Sequence, residues 1–334
     1  MLQKKIPLHY AILMTIVSVA TSCLLLSYRY HNNKDSDPAV DTVIVQSCKG
    51  EQKRLNGYDY VRPLLFTDRP CQSDKLLPVK TQLESLISNY KLSGAINSAS
   101  VYLRQLNQGD WISIDELEKY NPGSLLKVPE LITFFKMNEK TPGLLDRKII
   151  YNTPLDLPKK AYYLSKSIEL GKTYTIRELL YYMIAYSDNN ATMLLNQRMD
   201  VDIFRKVFTD LGLPNPDLKS TDIPITAKEY SYFLRVLYNA TYLNDEDSEF
   251  CAELLCHSDF AQGMVDGLPK DTKIAHKFGE AGDGINAHFS ESGIVYIHNS
   301  PYLLTIMTKG KDNKILPSVI SDISKKVFEM INVI

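Results

Sequence analysis

The segments predicted to be β-strands lie near the two ends of the chain, and the residues between them carry helical patterns. Residues 99–114 contain two runs rich in β-branched and aromatic side chains, separated by Asn107–Asp110, which is typical of a hairpin turn. Residues 273–308 contain three more such runs. This α+β order lets strands from both ends join one antiparallel sheet of about five strands, with an all-helical lobe beside it. We therefore expect a cleft between the sheet and the lobe.

Helices are predicted for most of the middle of the chain, from residue 124 to about residue 260. Two capping boxes open apolar-periodic helices in this region: Thr175 with Glu178, and Thr226 with Glu229. An amphipathic helix at residues 77–90 precedes the first strands, and another at residues 317–331 follows the last. The sheet is thus expected to be flanked by N- and C-terminal helices.

Composition and charge exclude several classes of function. Of 334 residues, 44% are hydrophobic and 23% are charged, which is ordinary for a globular protein. The formal net charge is -1 and the sequence has no long basic stripe, so we expect no nucleic-acid partner. The five cysteines and six histidines show no metal-ligand spacing, and we expect neither a metal nor another cofactor.

The N-terminus predicts a membrane anchor. Lys4 and Lys5 precede an almost uncharged run from about Tyr10 to Tyr28, close to the roughly 20 residues that cross a bilayer as a helix. Positive charge before the run places the N-terminus inside the cell. We expect an uncleaved, single-pass signal anchor in the cell membrane, with the rest of the chain on the extracytoplasmic side. Cleavage, or lipidation at Cys23, is the alternative.

The chain is predicted to have three parts. Residues 1–34 would form the anchor, residues 35–57 a polar linker, and residues 58–334 the folded domain. In an exported protein, Cys48 and Cys71 could form a disulfide, although two free thiols are an equal alternative from the sequence.

Ser124 and Lys127 lie one helical turn apart at the start of a predicted apolar helix. A serine hydroxyl attacks a carbonyl only if a neighbouring group takes its proton, and a lysine three residues later shares its helix face. The spacing alone is not specific, since Ser88 and Lys91 repeat it on a helix that we interpret as surface packing. Lys127 could likewise be a solvated lysine, but its apolar neighbours favour burial.

Two further motifs, Ser187–Asn189 and Lys277–Gly279, follow in the order used by serine acyl-transferring enzymes. Taken alone, the first could be an ordinary helix cap. The second lies on a predicted strand, where His276 and Phe278 would face away from Lys277 and into the packing. The combination of all three motifs is therefore what points to a catalytic cleft.

In combination, the three motifs resemble those of the class A β-lactamase and penicillin-binding protein superfamily, over the whole predicted folded domain. The resemblance implies a β-lactamase-like fold and an acyl-enzyme mechanism. Ser124 would attack the carbonyl carbon of the substrate, and Lys127 would accept the hydroxyl proton. The backbone N–H groups of Ser124 and Glu280 would form the oxyanion hole.

The resemblance also assigns the remaining site residues. Ser187 would relay a proton to the leaving group, and Asn189 would form a hydrogen bond with the amide side chain of the substrate. Lys277 and Gly279 would contribute to substrate binding, with Lys277 supplying positive charge for a substrate carboxylate.

Two departures from the family pattern affect the expected chemistry. Phe278 replaces the usual threonine or serine, so a hydroxyl that helps to hold the substrate carboxylate is missing. The short loop Gly212–Asp222 lacks the glutamate that activates the deacylating water in class A enzymes. Asp217 or Asp222 would have to come within about 3 Å of that water, directly or through another water, to replace it. We therefore expect intact acylation and slow deacylation.

The favoured function is an exported serine hydrolase that opens β-lactam amides. Two alternatives stay open: a penicillin-binding, DD-peptidase-like enzyme that acts on peptidoglycan peptides, and a non-catalytic exported binding module. Five polar groups expected to converge on one cleft argue against the binding module.

Overall fold

The computed structural model describes residues 20–28, 50–155, 162–220, 223–298 and 300–332. The chain divides into two units, Met1–Ser47 and Cys48–Ile334. The described part of the first unit is an exposed helix, α1 (residues 20–28). No helix in the described ranges is long and apolar enough to cross a membrane, and most of the predicted anchor at residues 1–34 lies outside those ranges.

The second unit is built on a five-stranded antiparallel sheet, as predicted. In spatial order its strands are β4 (Trp111–Ile114), β3 (Ser98–Gln105), β9 (Tyr302–Gly310), β8 (Ala287–Tyr296) and β7 (Lys273–Ala281). β9 joins the two groups of strands, because it pairs with β3 through Val101 and Ile306 and with β8 through Ser292 and Thr305. Strands from both ends of the chain therefore share one sheet, with β4 and β7 at its edges.

Helices cover both faces of this sheet. α2 (Leu77–Leu92) and α9 (Leu316–Ile331) pack on one face, and α7 (Ala227–Tyr238) packs on the other. Successive side chains of a strand point to opposite faces, so β9 contributes to two hydrophobic cores. Leu304 and Ile306 belong to the core beside α2 and α9, and Leu303 and Met307 belong to the core beside α7.

The helical lobe contains five further helices in the described ranges. They are α3 (Lys127–Lys140), α4 (Ile176–Ala185), α5 (Asn189–Asn196), α6 (Val201–Asp210) and α8 (Asp245–Cys256). Both predicted capping boxes are confirmed, with Thr175 opening α4 and Thr226 opening α7. A strand pair, β5 (Lys148–Ile150) with β6 (Thr173–Thr175), interrupts the region predicted to be almost entirely helical. Strands of three residues are too short to show a period of two in the sequence.

A two-stranded ribbon precedes the sheet. β1 (Glu51–Arg54) pairs with β2 (Leu64–Asp68). β1 lies inside residues 35–57, which the sequence predicted to be an irregular linker, so regular structure begins before residue 58. The prediction and the structure differ here because β1 is mostly exposed, and an exposed strand can be as polar as a linker.

The cysteines are divided between one disulfide and several free thiols. Cys71 is disulfide-bonded, whereas Cys23, Cys251 and Cys256 are free. Cys48, the partner suggested by the sequence, lies outside the described residues. Cys251 is buried in α8 and contributes to the core of the lobe.

Candidate active site

Ser124 lies in a 3₁₀ turn, Gly123–Leu126, that leads directly into α3. Lys127 is the first residue of α3 and is only 3% exposed, so its predicted burial is confirmed. Ser124 itself is half-buried. The hydroxyl of Tyr230 donates a hydrogen bond to the carbonyl oxygen of Leu125 at 2.9 Å. This bond ties the serine turn to α7.

The serine turn is in backbone contact with the edge strand β7. Gly123 has a φ of +53°, and a β-carbon on it would lie 2.3 Å from the carbonyl oxygen of Glu280. A β-carbon on Gly279 would lie 2.1 Å from the carbonyl oxygen of Pro122. Only glycine permits both approaches. The contact places the backbone of the Ser124 turn beside the backbone of Glu280, as the predicted oxyanion hole requires.

Ser187 occupies a strained turn between α4 and α5. Its φ is +52°, in the left-handed region that non-glycine residues rarely adopt. The next residue, Asp188, is buried, and its carboxylate accepts hydrogen bonds from the backbone N–H groups of Asn190 and Ile168 at 3.0 and 2.9 Å. The Ser167 hydroxyl donates a third bond to it at 2.8 Å. These bonds hold the turn in a conformation that would otherwise be unfavourable.

The hydroxyl oxygen of Ser187 lies between two lysine amines. Lys127 Nζ donates to Ser187 Oγ at 3.1 Å, and Lys277 Nζ donates to it at 2.9 Å. Lys127 Nζ also donates to the Ser187 carbonyl oxygen at 2.6 Å and to Asn189 Oδ1 at 2.8 Å. The structure thus brings Lys127, Ser187, Asn189 and Lys277, from three separate motifs, into one hydrogen-bonded network.

Burial lowers the pKa of both lysines. For Lys127, loss of hydration outweighs the carboxylates of Glu130, Asp188 and Glu280, which favour the charged amine. Loss of hydration, reinforced by the charge of Lys127, holds the pKa of Lys277 well below its usual range. An amine with a lowered pKa can accept a hydroxyl proton at a pH where an ordinary lysine is already protonated.

The two serine–lysine pairs of the sequence have different surroundings. Within the described ranges, Lys127 bonds to the Ser187 turn rather than to Ser124 Oγ, and bases often close on their nucleophiles only in the substrate complex. Ser88 and Lys91 are exposed on α2, where Lys91 forms an ion pair with Asp115 at 3.0 Å. The interpretation of the second pair as surface packing is confirmed.

Glu130 was missed by the sequence reasoning. It lies one turn after Lys127 on α3 and is 8% exposed. Burial raises the pKa of its carboxyl group, and the charge of Lys127 opposes that rise. Its position three residues after Lys127, in the apolar first half of the helix, is the signal that could have identified it.

The segment 162–168 was also missed, and it borders the site on two sides. The carboxylate of Glu280 accepts hydrogen bonds from the backbone N–H groups of Tyr162 and Tyr163 at 2.9 and 3.4 Å. The other end of the segment bonds to Asp188, as described above. The segment therefore connects β7 with the Ser187 turn, and its irregular backbone left no periodic pattern in the sequence.

The two departures from the family pattern have clear structural positions. Phe278 packs against Phe260 and Phe289, and Lys277 Nζ lies 4.0 Å from the centre of its ring. His276 is buried and forms a hydrogen bond with Glu291 at 2.7 Å, so its predicted role in packing is confirmed. Phe278 is buried as predicted, but its ring contacts the Lys277 amine and does not face away from it.

Within the described ranges, the loop after α6 makes no hydrogen bond to the network of Lys127, Ser187, Asn189 and Lys277. Asp217 is exposed there, and its carboxylate accepts a hydrogen bond from the backbone N–H of Lys219 at 3.0 Å. Asp222 lies outside the described residues. No group of three or more His, Cys, Asp or Glu side chains in the described ranges could hold a metal ion.

Comparisons with known proteins agree with this arrangement. The sequence matches the beta-lactamase enzyme family over residues 78–331. Beta-lactamase VEB-1 of Pseudomonas aeruginosa is 25% identical over 241 residues, which cover 66% of this chain and 80% of that protein. A beta-lactamase structure from Chitinophaga pinensis has a TM-score of 0.67 at 18% identity, over 75% of this chain and 98% of that one. A mutant of PBP-A, solved as an acyl-enzyme complex with penicillin G, has a TM-score of 0.65 at 21% identity, over 78% of this chain and 98% of that one.

The region that matches the family contains the candidate active site. Residues 78–331 include Ser124, Ser187 and Lys277, together with the whole five-stranded sheet and nearly all of the helices of the second unit. The solved structures share this fold. This chain therefore belongs to the β-lactamase enzyme family.

Proposed function

We propose that the protein is a serine hydrolase that opens β-lactam amides through an acyl-enzyme at Ser124. The observation that carries the proposal is the position of Ser187 Oγ, within hydrogen-bond distance of both Lys127 Nζ and Lys277 Nζ. This geometry joins a candidate base to a candidate proton relay in one network. Membership of the β-lactamase family supports the choice of substrate.

In the proposed acylation, Ser124 Oγ forms a bond to the carbonyl carbon of the lactam while its proton passes to Lys127 Nζ. The negative charge on the carbonyl oxygen is stabilised by the backbone N–H groups of Ser124 and Glu280. As the C–N bond breaks, Ser187 gives its hydroxyl proton to the ring nitrogen and receives the proton held by Lys127. The product is an ester of Ser124, with both lysines and Ser187 restored.

Lys277 has two roles in this proposal. Its amine fixes the position of Ser187 Oγ, and it binds the carboxylate of the substrate. Burial lowers the pKa of the amine in the free protein, but an arriving carboxylate favours its charged form. Charge at Lys277 would therefore develop as substrate binds.

Deacylation is proposed to be slow. Hydrolysis of the ester needs a base beside the attacking water, and the sequence 212–222 contains no glutamate. The carboxylates that act most strongly on Lys127 come from Glu130, Asp188 and Glu280, which belong to other elements. Loss of general-base help typically slows a step by about 10² to 10⁴-fold.

A penicillin-binding enzyme that acts on peptidoglycan peptides is the second candidate. A long-lived acyl-enzyme is the behaviour expected of such a protein. A mutant of PBP-A, which shares the fold, was solved as an acyl-enzyme complex with penicillin G. A non-catalytic binding module stays the third candidate, and it predicts no covalent adduct.

We also propose that the chain is exported and held in the cell membrane by residues 1–34, because two lysines precede an almost uncharged run there. The test is fractionation of expressing cells, followed by protease treatment of intact spheroplasts. Protein in the membrane fraction that is digested from outside would support the proposal. Protein that is protected from the protease, or full-length protein that is found in the soluble fraction, would contradict it.

The decisive experiment follows the intact mass of the purified chain during incubation with a reporter penicillin, together with release of the opened product. A lasting adduct that disappears in Ser124→Ala supports acylation with slow deacylation. Ser88→Ala is the matched control, because it removes the serine of the exposed pair and should leave the adduct unchanged. Rapid turnover would contradict slow deacylation, and absence of any adduct would favour the binding module.

A further inference from the structure

The interface between α3 and α5 contains a buried carboxyl group that the acylation steps above do not use. Glu130 lies on α3 and is 8% exposed. Asn196, the last residue of α5, donates a hydrogen bond from Nδ2 to Glu130 Oε1 at 3.4 Å. Both helices also serve the site, since α3 begins with Lys127 and α5 begins with Asn189. The Glu130–Asn196 pair is therefore built into the same two elements as the base.

The hydrogen bonding of this pair is incomplete if the carboxyl is ionised. Glu130 Oε2 and Asn196 Oδ1 are both buried, and neither has a hydrogen-bond partner among the described residues. Both atoms are acceptors, and a buried acceptor without a donor costs about 1–3 kcal/mol. A proton on Glu130 Oε2 converts that oxygen into a donor. An acid–amide pair with two hydrogen bonds would then satisfy both oxygens with one proton.

The charges around Lys127 lead to the same protonation state. The charged groups that face its amine are Glu130 on α3, Asp188 before α5, and Glu280 and Lys277 on β7. Lys127 Nζ makes its hydrogen bonds to Ser187 and Asn189 rather than to Glu130. As a neutral amine it would donate to the Ser187 carbonyl oxygen and to Asn189 Oδ1, and it would accept the proton of the Ser187 hydroxyl. Burial raises the pKa of Glu130 and lowers the pKa of Lys127, so both groups are displaced towards their neutral forms.

We propose that Glu130 holds the proton that Lys127 gives up, so that the resting site contains a neutral acid paired with Asn196 and a neutral amine ready for the Ser124 proton. The inference rests on the proposed function, since it explains how the base of that reaction is kept unprotonated. One proton moves from Lys127 Nζ to Glu130 Oε2, and the net charge of the pair stays zero. Glu130 touches neither the substrate nor Ser124, and it is a positioning residue for the base.

Infrared difference spectroscopy tests where the proton lies without requiring any activity. The spectrum of the full chain near neutral pH should contain the carbonyl-stretch band of a protonated carboxyl group, and this band should be lost in Glu130→Gln. Glutamine preserves the shape and both hydrogen bonds of the neutral acid, so the variant should fold. Glu139→Gln is the matched control on the same helix, because Glu139 is partly exposed and paired with Lys136. A protonated-carboxyl band that is absent from the wild type, or unchanged in Glu130→Gln, would overturn the proposal.

A second variant keeps the test independent of Glu130→Gln. Asn196→Ala leaves Glu130 in place but removes its hydrogen-bond partner, so the band should shift in frequency. An unshifted band would show that the proton is not shared with Asn196. Because neither spectrum depends on a substrate, this result stands even if penicillin forms no adduct with the protein.

The pH profile of acylation tests whether Glu130 is neutral in the working protein. An ionised Glu130 would raise the pKa of Lys127, and its replacement by glutamine would shift the acid limb of the acylation rate to lower pH. A neutral Glu130 exerts no such effect. We expect the acid limb in Glu130→Gln to lie within about half a pH unit of the wild type. A clear shift to lower pH would show that the carboxylate is charged in the working protein.

Discussion

Ser187 combines a left-handed backbone with a hydroxyl held by two buried amines. A strained residue persists only where its surroundings fix it, and here Asp188 and its three donors do so. The strain places one oxygen within reach of Lys127 and Lys277, which lie on different elements. The position of a single side chain therefore decides whether the two lysines act together.

Replacement of Ser187 by alanine should slow acylation without abolishing it. Ser124 and Lys127 remain, and only proton transfer to the leaving nitrogen is lost. Such transfer contributes about 10² to 10⁴-fold, and we expect a loss in that range in the rate of adduct formation measured by intact mass. Unchanged kinetics in Ser187→Ala would exclude this hydroxyl as the relay. Ser187→Gly separates the loss of the hydroxyl from the effect of backbone strain, because glycine also lacks the hydroxyl but adopts the left-handed φ without strain.

The acylation rate should rise with pH along a limb that lies below the ordinary range of lysine, about 10.4. Burial lowers the pKa of Lys127, so the amine loses its proton, and becomes a base, at a lower pH than an exposed lysine does. The measurement is the second-order rate of adduct formation across the pH range in which the protein stays folded. A limb centred at the ordinary lysine value would contradict a buried lysine base.

At the scale of elements, the site depends on contact between the serine turn and β7. The 3₁₀ turn Gly123–Leu126 rests on the strand backbone at Gly279 and Glu280, with no side chain between them. The turn is held from its other side by Tyr230 of α7. Backbone packing thus positions Ser124, the proposed nucleophile, and Glu280, the proposed second oxyanion donor.

Gly123→Ala should reduce both stability and acylation. The new β-carbon would lie 2.3 Å from the carbonyl oxygen of Glu280, so the turn must move away from β7. Gly94→Ala is a matched control, since Gly94 also has a positive φ but no atom within 4 Å of the new β-carbon. Gly94→Ala should lower the free energy of unfolding only by the cost of a left-handed φ at a non-glycine residue, about 1–2 kcal/mol. Its acylation should be preserved. Equal losses in the two variants would show that the close approach is unimportant.

The sequence predicts the elements with long periodic patterns and the residues with motif spacing. The shared sheet formed by strands from both ends of the chain, both capping boxes and the convergence of Lys127, Ser187 and Lys277 were all predicted from it. Glu130 was missed because burial of a charged residue depends on α5, which is distant in the sequence. β1 was missed because an exposed ribbon strand resembles a polar linker.

At the scale of the whole molecule, one acidic residue connects the β1–β2 ribbon to the sheet and to α7. Asp68 pairs with Arg104 of β3 at 3.0 Å and with Arg235 of α7 at 3.5 Å. The side chain of Arg235 is only 2% exposed, and the carbonyl oxygen of Thr67 accepts further hydrogen bonds from both arginines. The ribbon therefore neutralises two arginines that the core would otherwise bury without a counter-charge.

Asp68→Asn should lower the free energy of unfolding by about 1–3 kcal/mol, because it weakens hydrogen bonds to two largely buried arginines. Denaturant unfolding provides the measurement. Asp146→Asn is the control, since Asp146 is 74% exposed and its contact with Arg177 at 3.7 Å should contribute nothing measurable. A similar response from both variants would mean that the ribbon contact adds little to stability.

Pairing of β3 with β9 also sets the order of events during synthesis. Val101 meets Ile306, about 200 residues later, so the central strand of the sheet is one of the last parts of the chain to emerge from the ribosome. Until then the β3–β4 hairpin carries an unpaired edge that other chains could join. The sheet therefore cannot close until synthesis has passed β9, and until then the free edge of β3 is where two nascent copies would pair with each other.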